Sequence, residues 1–174
     1  MMKVAGIAIA VVLLLGLAVL VVGAFLPKDH RIARALNLAR SPAEVFKVVS
    51  DVTNATAWRP GLKSVVVLNS GNPLTFREVS ADGSITYEVV ESVPSSRFVT
   101  RIADPGLPFG GTWTITLEPM PTGTRLVLVE NGEVRNIFFR FMSRYVFGHA
   151  KSAEAYLRAL ALKLGETPRI DVVS

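Results

Sequence analysis

Few residues in this 174-residue chain could carry out chemistry, and they are scattered: it has two histidines and no cysteine. His149 ends the stretch ENGEVRNIFFRFMSRYVFGH, Glu130 to His149, which holds four phenylalanines, one tyrosine and three arginines. Such a mixture could stack nucleic-acid bases, lie on a membrane, or roof a cavity for an apolar ligand. His149 falls within an apolar stripe, where an unsatisfied polar group is costly. It reads first as a satisfied structural histidine and second as a ligand-contacting or acid-base group. His30 sits in the short linker PKDH, so a histidine metal site has no second imidazole in the domain and no thiolate to replace it. No nucleophile, base and acid assemble into a catalytic set, and neither a metal nor a cofactor is expected. The glycine-rich GLPFGG lies between strands, without the helix N-terminus that phosphate binding uses, and reads as a flexible loop able to gate a cavity.

The aromatic residues give a more coherent signal. Trp58 follows a short helix, Trp113 lies in mid-strand, and Phe76, Tyr87, Phe98, Phe141, Tyr145 and Tyr156 are spread over the elements around them. Each alone is more simply core than ligand contact. Together with His149 they describe an aromatic-lined apolar site. Glu88 and Arg101 fall on strands, where exposed cross-strand pairing is the default.

The elements that must position these residues begin with Val4 to Leu26, which carries no charged or strongly polar side chain. As a helix it would be about 34 Å long, enough to cross a hydrocarbon core of about 30 Å. Residues 1–26 therefore read as an N-terminal transmembrane anchor and the protein as single-pass. The rival is a cleaved signal peptide with Lys3 as its basic end and Val22-Gly23-Ala24 as the cut, but the apolar run is longer than such segments need. Lys28, Arg31, Arg34 and Arg40 follow the anchor, and counting them leans toward a cytoplasmic domain. The divisions expected are a linker at 27–30, a domain at 31–166 and a loose tail at 167–174.

Within the domain, Ile32, Leu36 and Leu38 share one strand parity, with Arg34 out of place among them. SPAEVFKVVSDV then begins a helix with Ser41 as cap, Pro42 at the first position and Glu44 completing a capping box. TNATAWRPG reads as a second short helix stopped by Pro60-Gly61. From Leu62 to Asn131, β-branched and aromatic runs alternate with short turns and predict six antiparallel strands, seven with the first. Asn136 to Glu166 has helical period, placing Phe138, Phe141, Met142, Tyr145, His149, Ala153, Tyr156, Leu157, Leu160 and Leu164 on one side. Arg140, Arg144, Lys151, Glu154 and Arg158 fall opposite, with Gly148 placed to kink or divide the helix. This separation of arginine from aromatic residues is unlike a base-stacking surface, which displays them together. The net charge of +5 is likewise scattered, and nucleic acid is not an expected partner.

This order of elements resembles the START-like SRPBCC superfamily, with its polyketide cyclase/dehydratase-like, coenzyme Q-binding and lipid-transfer branches. The resemblance rests on SPAEVFKVVSDVTNATAWRPGLKSVVVL, GGTWTITLEPMPTGTRLVLVENGEV and FRFMSRYVFGHAKSAEAYLRAL. It implies an α+β helix-grip fold, a seven-stranded antiparallel sheet curled around a long C-terminal helix, and an apolar cavity between them. The function then expected is that of a membrane-anchored binding protein for a hydrophobic small molecule or lipid. The alternatives are a polyketide cyclase/dehydratase-like enzyme and a non-catalytic interaction module whose core is filled.

Overall fold

The computed structural model describes residues 2–148 and 150–173. Helix α1, Met2–Phe25, leads directly into strand β1, Asp29–Leu38. Within α1, Val4–Phe25 is long and apolar enough to cross a membrane. Because β1 already includes Asp29 and His30, the connection between Phe25 and the strand is the three residues 26–28, and the expected 27–30 linker is shortened at its C-terminal end.

After β1, Ser41 caps α2, Pro42–Ser50. Its hydroxyl accepts from the Glu44 amide, while the Glu44 carboxylate accepts from the Ser41 amide at 2.9 Å. The Ser41 hydroxyl, which donates to the same carboxylate at 2.7 Å, and the Ser41 amide together hold the Glu44 carboxyl below its ordinary pKa. A 3-10 turn, Val52–Ala57, follows, with the Asp51 side chain accepting from the Asn54 amide. Six strands then run in sequence: β2 Leu62–Asn69, β3 Thr75–Ser80, β4 Gly83–Val93, β5 Arg97–Ile102, β6 Phe109–Met120 and β7 Gly123–Val134. Their short connections permit only antiparallel neighbours. GLPFGG is thus only partly a loop, because Phe109, Gly110 and Gly111 pair with β7 as the start of β6.

The C-terminal segment is not one helix. It consists of α3, Ile137–Met142, a π-turn, Ser143–Phe147, and α4, Lys151–Lys163. Gly148, at φ +75°, ends the first part in a conformation that other residues rarely adopt. The tail expected to be loose adds an eighth strand, β8, Ile170–Val172, against β1. The sheet order is β2-β3-β4-β5-β6-β7-β1-β8, which closes one side of β1 that would otherwise be an open edge.

One face of the sheet carries the core. Leu36, Leu38, Phe98, Ile115, Leu117, Leu126 and Leu128 meet Val45 and Val49 from α2 and Ala153, Leu157 and Leu160 from α4. Arg34, the residue that breaks the apolar parity of β1, does face this side. Its Nε donates to Glu154 Oε1 of α4 at 2.8 Å, so both charges are satisfied where helix and strand meet. Glu154 therefore does not belong to the solvent face that the helical period assigned to it.

Candidate functional site

Two adjoining chambers lie between the sheet and the elements that cover it. The inner chamber is bounded by the 3-10 turn, β3 to β6 and α4, and has a volume of about 70 Å³. Trp58, Phe76, Tyr87, Phe98, Trp113 and Tyr156 all line it. Strand parity brings them there, because Phe76, Tyr87, Phe98 and Trp113 stand on the same face of consecutive strands. Tyr156 is wedged between two indoles, with ring centroids 5.3 Å from Trp58 and 5.5 Å from Trp113, both edge to face. Phe76 stacks on Tyr87 at 5.5 Å, and Phe98 meets Phe46 at 6.3 Å. With the rings packed so closely, the inner chamber has room for only a few waters.

The outer chamber has a volume of about 400 Å³, within the range of small-molecule pockets. It shares Tyr87, Thr100 and Trp113 with the inner chamber, and Phe139 and Ser143 close it from above. A chamber of this size is larger than the few waters' space expected beside a filled core.

Two of the other three expected site residues lie elsewhere. Phe141 and Tyr145 pack on each other at 5.1 Å, outside both chambers, and Tyr145 is 61% exposed. The break at Gly148 frees α3 from the phase of α4, and α3 turns its surface to α1 instead. There Gly23 is buried, and a Cβ on it would collide with the Ile137 carbonyl and touch Phe141. His149 lies outside the described residues.

Two polar pairs at the chambers were not expected from the sequence. At the inner one, Arg59 grips the Glu78 carboxylate with both terminal nitrogens, one of them 2.9 Å from Oε2. Its guanidinium also lies 5.4 Å from the Tyr156 ring centroid. Burial works against the Arg59 charge, but the bond and attraction from Glu78 outweigh it and hold the pKa above its ordinary value. Burial pushes the Tyr87 and Tyr156 phenols well above the usual tyrosine range, with Glu78 adding to it, so both are neutral hydroxyls at physiological pH.

At the outer chamber, His30 Nε2 lies 3.2 Å from Glu130 Oε1, both side chains 16% exposed. His30 stands opposite Gly132 in the β1–β7 ladder, and its ring crosses diagonally to Glu130, two residues along the same face. Gly132 makes this possible, since a Cβ there would collide with the imidazole. The signal was present in the sequence: counting back by twos from Leu38 through Leu36, Arg34 and Ile32 reaches His30 on the inward parity. Glu88 and Arg101, by contrast, pair across strands as the default predicted. Among the described residues there is no cluster of three side chains suited to hold a metal ion.

A family model for "polyketide cyclase / dehydrase and lipid transport" matches residues 29–164. The chain belongs to this family. Solved structures agree on the fold. A conserved protein from Geobacillus kaustophilus superposes with a TM-score of 0.66 at 16% identity, covering 81% of this chain and 99% of that one. The aromatase/cyclase ZhuI from Streptomyces sp. R1128 gives 0.63 at 13% identity, with 79% and 94% covered. A START superfamily protein from Mycobacterium smegmatis gives 0.62 at 17%, with 78% and 97% covered. Against the di-domain aromatase/cyclase StfQ of the steffimycin pathway, the chain spans 50% of the longer protein, at a TM-score of 0.61 and 16% identity. No curated protein matches the chain. Membership of this family supports a ligand-binding fold and suggests hydrophobic small molecules as its ligands, and it assigns no catalytic residues.

Proposed function

We propose that the protein binds an apolar small molecule or lipid in the outer chamber, without chemistry of its own, while α1 anchors it to a membrane and holds the chamber beside the bilayer. The observation that carries this reading is the meeting of chamber and apolar helix on a single short element. Phe139 and Ser143 close the chamber, while Ile137 and Phe141 of the same segment pack on Gly23 near the end of α1. Around that contact Phe138, Phe139, Tyr145 and Val146 are exposed, with Arg135 and Arg144 beside them. Aromatic and basic residues in this mixture suit the headgroup region of a bilayer. A ligand dissolved in the membrane would then meet the chamber at high effective concentration.

The test is organic-solvent extraction and mass spectrometry of the full chain purified in detergent. One apolar species should be enriched over the detergent and lipid background, and Thr100→Trp, which fills the junction of the two chambers, should lose it. A folded sample that yields no enriched species would overturn the reading.

A further inference from the structure

We propose that Glu130 is the polar contact of the outer chamber and selects apolar ligands that carry a hydroxyl or similar hydrogen-bond donor. The inference rests on the outer chamber being the ligand site. Glu130 stands on β7 between Trp113 of β6 and Ile32 of β1, and its side chain lines the chamber. A carboxylate only accepts, so Oε1 takes the N–H of His30 Nε2. The second oxygen, Oε2, is buried and meets no donor among the described residues. Glu133, the other carboxylate at this chamber, is answered at the rim by Lys28 at 3.7 Å and Arg135 at 3.5 Å.

This oxygen sets a condition on any occupant. Where it stands, Oε2 is closed off from water and its acceptor goes unanswered, so a ligand that brings a donor to the turned carboxylate gains a bond that a ligand without one cannot make. A plain hydrocarbon fails that condition, and an alcohol or phenol meets it. His30 strengthens the discrimination by holding the carboxylate in place, and the ring keeps its position because Gly132 beneath it has no side chain.

The probes are 1-naphthol and 1-methylnaphthalene, similar in shape and differing in the donor. Each is titrated calorimetrically into the full chain in lipid nanodiscs, for the native protein and for Glu130→Leu, so that partition into lipid cancels in the double difference. Glu130→Leu should weaken 1-naphthol by about tenfold or more and leave 1-methylnaphthalene unchanged or tighter. If both probes weaken alike, or neither changes, Glu130 does not select the donor, while the chamber as ligand site stands. If the native protein binds neither probe, the ligand reading and this inference fall together. Should Glu130→Leu not fold, Glu130→Gln keeps the shape with a weaker neutral acceptor. It should give a smaller loss confined to 1-naphthol, and equal affinities would overturn the proposal.

Discussion

The two halves of the C-terminal segment begin from the same helical period and end in different places. Helix α4 buries Ala153, Leu157 and Leu160 against a continuous sheet, whereas α3 has no buried residue and covers the outer chamber with its flank. Periodicity fixes which side chains share a face, but a face needs a partner, and on either side of Gly148 the partners differ. One half builds the core, and the other is left between a chamber and an apolar helix.

The largest test of this contrast is Leu157→Ala against Phe139→Ala. Leu157 is fully buried, and its truncation should cost about 3–4 kcal/mol in denaturant unfolding of the full chain in detergent. Phe139 is 39% exposed, and its loss should cost under about 1 kcal/mol. Equal costs would break the comparison. Removing Glu78 leaves the half-buried Arg59 without its partner, so Glu78→Leu should cost about 2–3 kcal/mol in the same assay. Breaking the more exposed Glu88–Arg101 pair with Arg101→Ala should stay within about 1 kcal/mol.

Alkaline pH should act on the closed half. The Tyr87 and Tyr156 phenols have raised pKa values when folded, so above about pH 10 the unfolded chain loses protons that the folded chain keeps. Their contribution is complete below that pH and declines as pH rises through the interval. Denaturation midpoints should fall there, with phenolate absorbance at these two residues appearing only as the protein unfolds. The smallest expected effect is at the boundary itself. Gly148→Ala meets no steric obstacle but must hold φ at +75°, which should cost about 1 kcal/mol in thermal unfolding.

Much of the architecture was legible because it depends on local rules. The capping box at Ser41 and Glu44, the strand parities that bring Phe76, Tyr87, Phe98 and Trp113 together, and the apolar length of α1 can all be read over a few neighbouring residues. What could not be read that way was long-range. Arg34 looked misplaced until Glu154, 120 residues later, supplied its partner. The Arg59–Glu78 pair joins the end of a turn to β3, and although Glu78 shares the inward parity of Phe76, nothing local marks Arg59 as its partner. Phe141 and Tyr145 share the stripe of α4 in sequence, yet a glycine breaks the path that would carry them to the chamber. β8 went unseen because three residues of strand carry too little pattern to stand out from a tail.

Gly132 shows how such distance is recorded in mutational behaviour. Its substitution by alanine would look like an ordinary strand defect, although the cause is eviction of an imidazole that arrives from the other end of the domain. The two positions therefore constitute an epistatic pair: once His30 has been shortened to alanine, Gly132→Ala should be nearly neutral, and lineages that lose the ring are released from the glycine.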